Sequence, residues 1–159
     1  MSQPERSLWN QWNNATKEQI DWTRLEAWVG SGIPDLNGVV RCDTLQECKG
    51  QELWVELKVV KTKSFLVKNL WRPQQIAWQT KRCLHACNVF NLVSHPDRGS
   101  LKIYLGSTIR RLVDEGPLSV DPAWQSNEND YREALIFMKS ILKDSLAKRN
   151  EREQLLTLE

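Results

Sequence analysis

Apolar and polar positions alternate most clearly at residues 52–60. Leu53, Val55, Leu57 and Val59 fall on one side, and Glu52, Trp54, Glu56 and Lys58 on the other, the two-residue period of a strand. Residues 33–41 predict a preceding strand, with Pro34 tolerable near its start. The polar stretch from Cys42 to Gly50 predicts a hairpin loop between the two. Helical spacing governs other segments. Residues 3–14 predict a helix with Leu8, Trp9 and Trp12 on one side. Residues 73–87 predict another, since Pro73 suits a first turn and Asn88 an end. Its apolar stripe is Ile76, Cys83, Leu84 and Cys87, and Gln75, Trp78, Gln79 and Arg82 form a second, more polar one.

Residues 89–94 and 101–105 predict two strands joined through the turn His95-Pro96-Asp97-Arg98-Gly99. Residues 107–115 predict a short helix and 117–129 a loop. Asn129 or Asp130 then caps a final helix whose Leu135, Met138, Leu142 and Leu146 recur at helical spacing. That stripe suits packing on its own domain or a homodimer seam. Residues 20–28 admit two readings. Thr16 and Gln19 suit a capping box for a helix ending at Gly30, whereas Ile20, Trp22 and Trp28 suit a first strand.

Composition narrows the class. A chain of 159 residues with 40% hydrophobic residues and net charge +2 suits one folded core and argues against wholesale disorder. No apolar run approaches the roughly 20 residues that span a membrane, and the polar start Met1-Ser2-Gln3-Pro4-Glu5-Arg6 lacks a secretory segment. The expectation is a soluble cytoplasmic protein without a membrane partner. In that compartment Cys42, Cys48, Cys83 and Cys87 read as thiols. Neither close pair has the Cys-x-x-Cys spacing of a zinc site.

The charge is unevenly placed. From Leu57 to Pro96 there is no Asp or Glu, while Lys58, Lys61, Lys63, Lys68, Arg72, Lys81 and Arg82 all fall there. Such a patch suits a polyanion, although a solvated basic face has the same composition. The residues just before it change the weighting. Glu56 and Lys58 share one side of a strand, and an antiparallel hairpin can set Asp35 beside Glu56. Two apposed carboxylates repel unless a cation lies between them, and hard oxygen donors favour magnesium or manganese. Such an ion neutralises charge at a phosphoryl oxygen and lowers the pKa of a bound water. Lys58 suits orienting that water or stabilising the phosphorane, and Gln75 suits positioning the lysine or the water.

Three segments together, Gly32-Ile33-Pro34-Asp35, Trp54-Val55-Glu56-Leu57-Lys58 and Arg72-Pro73-Gln74-Gln75-Ile76-Ala77-Trp78, resemble the PD-(D/E)xK nuclease superfamily. More narrowly, the chain looks like its small phage-type VRR-NUC and Holliday-junction-resolvase-like members. The Val-Arg-Arg signature itself is not present. The resemblance covers about residues 5–106, with Ile103-Tyr104-Leu105-Gly106 similar to a late core strand. It implies an α/β fold with a restriction-endonuclease-like αβββαβ core and mixed sheet over residues 1–106, followed by a C-terminal helical extension over 107–159. It implies a Mg2+- or Mn2+-dependent deoxyribonuclease acting on DNA, branched DNA included, in phage recombination or replication. Asp35, Glu56 and the Leu57 carbonyl would be metal ligands, and Lys58 and Gln75 catalytic. Many members add an acid from the first helix, for which Glu5 is the candidate, with Glu18 and Glu26 as rivals. Lys61, Lys63, Lys68 and Arg72 would follow the DNA backbone, with Trp71 either stacking on unpaired bases or packing in the core, and Trp78 packing in the core. The competing classes are a non-catalytic nucleic-acid-binding module and a protein-interaction domain.

Overall fold

Six strands form a single open sheet in the order in which they occur along the chain. The computed structural model describes residues 2–25, 32–41, 50–61, 70–86 and 88–156, with only the backbone of residues 152–156. Glu26, Trp28, Cys42, Cys48, Lys63, Lys68 and Cys87, and with them most of the expected hairpin loop, lie outside the described residues. The elements are α1 (Gln3–Thr16), β1 (Ile20–Arg24), β2 (Leu36–Val40), β3 (Glu52–Val59), α2 (Pro73–Cys83), β4 (Val89–His95), β5 (Ser100–Leu105), α3 (Ile109–Glu115), β6 (Trp124–Ser126) and α4 (Tyr131–Leu156). Neighbouring strands are antiparallel except β3 and β4, which run parallel. A parallel pair needs a long crossover, and α2 lies within it. The fold is therefore α/β with a mixed six-stranded sheet, four α-helices and a helical C-terminus.

The helices cover both faces. Leu8 and Trp12 of α1 and Ala134, Leu135, Met138 and Leu142 of α4 share a core with Leu36, Leu53, Val55, Leu57, Phe90, Leu92, Leu101 and Ile103 of the sheet. On the other face Val60, Trp71, Val93 and Tyr104 pack with Ile109 and Leu112 of α3. Covering on both faces is why β4 is buried at every position and reads as a nearly continuous apolar run. Residues after 107 thus belong to the same body as those before it: α4 completes the α1 core and β6 pairs with β5.

The 117–129 stretch departs from the expected loop, and residues 20–24 take the strand reading of the two they admitted. The 117–129 stretch contains strand β6, whose three residues pair with Leu101–Ile103. Three residues at a sheet edge are too few to show an alternation, and backbone pairing alone defines them. Residues 20–24 form a strand, and Thr16 does not cap a following helix. It is buried, donates to the Trp12 carbonyl (2.7 Å) and accepts from the Trp22 indole N–H (2.9 Å). Trp22 lies across from Gly38, where a β-carbon would come within 2.5 Å of the ring. Trp9 and Trp12 pack on the same indole.

Candidate active site

The β2–β3 register pairs Leu36 with Val55. One further step sets Asp35 opposite Glu56, and residues directly opposite in an antiparallel pair project to the same face. That face is the one crossed by α2. Asp35 Oδ2 accepts the Leu57 amide N–H at 3.0 Å. A strand residue sends its N–H and C=O to the same edge, so the Leu57 carbonyl opens beside Asp35.

Glu56 is wholly buried and Lys58 is 7% exposed. The Lys58 ammonium meets Glu56 Oε1 at 2.5 Å. The same oxygen accepts the Gln75 side-chain amide at 2.5 Å, while Gln75 Oε1 accepts the Arg72 backbone N–H at 2.9 Å. Gln75 therefore ties the first turn of α2 to the carboxylate. Its partner is Glu56 itself, rather than the lysine or water expected from the sequence. The second oxygen, Glu56 Oε2, is buried and has no hydrogen-bond partner among the described residues.

The electrostatics follow from this enclosure. Burial pushes the Glu56 carboxyl up to about 7; Lys58 opposes the shift, and the charges of Asp35 and Glu5 add to it. Asp35 is raised for the same leading reason, burial. The Leu57 N–H and Lys58 pull it down, and Glu5 pushes it up. Glu5 thus acts on both carboxylates from the N-terminus of α1. There it also closes a capping box, accepting the Ser2 N–H at 2.7 Å. Glu18 lies exposed in the turn after α1. Among the described residues, no three His, Cys, Asp or Glu side chains already form a metal-holding group.

Lys61, two residues beyond β3, and Arg72, at the N-cap of α2, are exposed. Trp71 is not placed for stacking on bases: it is 2% exposed, and its indole N–H is bonded to Asn91 Oδ1 at 2.9 Å. Asn91 and Gln79, both fully buried, exchange two amide hydrogen bonds of 2.9 and 3.0 Å. Asn91 pairs with Glu56 across β3 and β4, so this network is the floor next to the carboxylate. Sequence reasoning did not assign it, although a single Asn inside an apolar strand signals a buried partner. Trp78 packs on Trp54 with ring centroids 5.2 Å apart, and Arg82 pairs with Glu52 at 3.0 Å. No protein-family model matches the chain, and comparison with curated proteins gives no match.

Proposed function

We propose that the chain is a metal-dependent DNA endonuclease built on a PD-(D/E)xK-type core. The observation that carries this reading is Glu56 Oε2, a buried carboxylate oxygen without a donor among the described residues, next to Asp35 on the same face. Lys58 and Gln75 serve only Oε1; a buried carboxylate oxygen left without a partner is costly, and a cation relieves it. The element order from α1 to β4 fits the αβββαβ plan.

The donors fit a hard divalent ion. Asp35, Glu56 and the Leu57 carbonyl offer only oxygen, suited to Mg2+ or Mn2+, and Glu5 is a further acid whose charge acts on both carboxylates. Such an ion supplies neutralisation of phosphoryl charge and a more acidic bound water. The protein side is carried by three groups. Lys58 places its ammonium where negative charge develops on a phosphate. Gln75 fixes the Glu56 carboxylate and registers α2 against β3. Lys61 and Arg72 hold the substrate backbone without reading sequence. Action on branched DNA, a homodimer built through α4 and a cytoplasmic setting extend the same reading. Among the described residues no helix is long and apolar enough to cross a membrane.

A non-catalytic nucleic-acid-binding module is the second reading. It is favoured by Lys58 already closing on Glu56 and by the lack of a three-ligand group among the described residues. Supercoiled plasmid, a flap and a four-way junction, each incubated with magnesium, manganese or EDTA, separate the two. The nuclease reading expects metal-dependent cleavage that is lost in Asp35→Ala and Lys58→Ala. Absence of cutting with either metal, or equal cutting by both variants, rejects it.

A further inference from the structure

Beyond the carboxylate site, the same sheet face carries a second group of polar side chains that the reading so far leaves without a role. Lys58 pairs with Val93, and Val93 with Lys102, so the two lysines lie in one row across β3, β4 and β5. Paired positions share a face. Lys102 is therefore two strand spacings from Lys58, roughly 9–10 Å at the strand positions. Two residues further along β4 on that face lies His95, opposite Ser100. His95 is 1% exposed, and neither ring nitrogen has a hydrogen-bond partner among the described residues. Arg98 lies in the turn just after it. Neither Arg98 nor Lys102 is in an ion pair among the described residues. The acid in the same turn, Asp97, has a partner of its own.

We infer that His95, Arg98, Lys102 and Ser100 form a phosphate subsite that holds a backbone phosphate next to the one at Asp35, Glu56 and Lys58. A buried imidazole must have an N–H on one nitrogen, and leaving it unbonded is unfavourable. Burial, and after it the charges of Lys102 and Arg98, hold the His95 imidazole down at about 4. An anion satisfies all three groups at once. The register from Lys58 to Lys102 sets that anion roughly two strand spacings from the carboxylate pair, too far to be a second catalytic phosphate. The inference rests on the nucleic-acid reading above, but not on catalysis.

The test is made in EDTA, where no metal-dependent cleavage intervenes. Binding of a short single-stranded DNA oligonucleotide is measured by fluorescence anisotropy across a salt series. Lys102→Ala and Arg98→Ala are each expected to weaken binding and to reduce the slope of log K against log salt by about 0.7. Lys102→Arg is expected to keep the wild-type slope. Lys148→Ala, on the exposed far part of α4, is expected to leave slope and affinity unchanged. The chain has two histidines, and exposed His85 serves as an internal reference for NMR. The oligonucleotide is expected to move the His95 ring signals in the wild type and not in Lys102→Ala. Unchanged slopes in both alanine variants overturn the inference. So does a His95 response to inorganic phosphate with none to the oligonucleotide, which would mark a free-anion site. A protein that passes this test and cuts no DNA keeps the subsite and loses the nuclease. One that cuts DNA with unchanged slopes does the reverse.

Discussion

Gly32 lies against the first turn of α2 so closely that a β-carbon on it would come within 2.4 Å of the Gln74 carbonyl oxygen. The backbone there also has φ +111°, a region open to glycine and costly for other residues. Three residues later comes Asp35, and one residue after Gln74 comes Gln75. The contact thus sets the distance between the two arms of the candidate site. Gly32→Ala is expected to destabilise the protein by about 2–3 kcal/mol, read from denaturant midpoints. If the site is catalytic, cleavage falls further than the lost stability accounts for. A variant with wild-type stability and activity would show that the contact positions nothing.

Opposed proton linkages make a second expectation. Glu56 has its folded pKa raised to about 7 from 4.5, so its contribution is full below 4.5 and lost as pH rises towards 7. His95 is lowered to about 4 from 6.5. Its contribution is full above 6.5 and lost as pH falls towards 4. Between 4.5 and 6.5 the two nearly cancel, with Asp35 acting in the same sense as Glu56 at the acid end. Glu56→Gln is expected to leave stability rising with pH by about 1.4 kcal/mol per unit, and His95→Gln to leave it falling at a similar rate. Urea titrations at several pH values read both slopes; parallel curves for all three proteins would refute the linkage.

Metal binding couples to the same carboxyl. A divalent ion binds the ionised form, so it must compete with the proton on Glu56. Millimolar Mg2+ or Mn2+ is expected to raise Tm at pH 8 and to have little effect at pH 5. Glu56→Gln removes the response, whereas Glu18→Gln, exposed and away from the site, retains it. A Tm that ignores metal at pH 8 would leave Glu56 Oε2 without the proposed partner.

The Asn91 network provides a prediction independent of catalysis. Asn91→Ala strands the Trp71 N–H and both ends of the Gln79 amide in a buried site, at an expected cost of about 3–5 kcal/mol. Trp71→Phe removes only one donor and is expected to cost about 1–2 kcal/mol, leaving oligonucleotide affinity unchanged. Lost affinity without lost stability would return Trp71 to the nucleic-acid surface.

Much of this was legible in the chain because it depends on short-range periodicity. Glu56 and Lys58 share a face by strand alternation alone, and Pro73 marks the turn from which Gln75 projects. Asp35 is opposite Glu56 because a hairpin leaves one register that buries Leu36, Val40, Leu53 and Val55 together. What the sequence conceals is set by tertiary neighbours. Whether Trp71 is buried depends on where α2 and β4 meet, and β6 exists only because β5 offers an open edge. Gln75 pairs with Glu56 only when α2 crosses β3 at this place. Asn91 was the one readable clue to that crossing.

The absent side chain at Gly38 has a consequence for how the hairpin is assembled. It is a notch, and Trp22, anchored to Thr16 of α1, is the key that fits it. Sliding β2 by two residues along β1 keeps the pleat but drives the indole onto Leu36 or Val40, where there is no slot. The indole thus indexes the strand. Since Asp35 is carried on the same strand, a ring on one face of the sheet fixes how far along β1 the acid on the other face is carried.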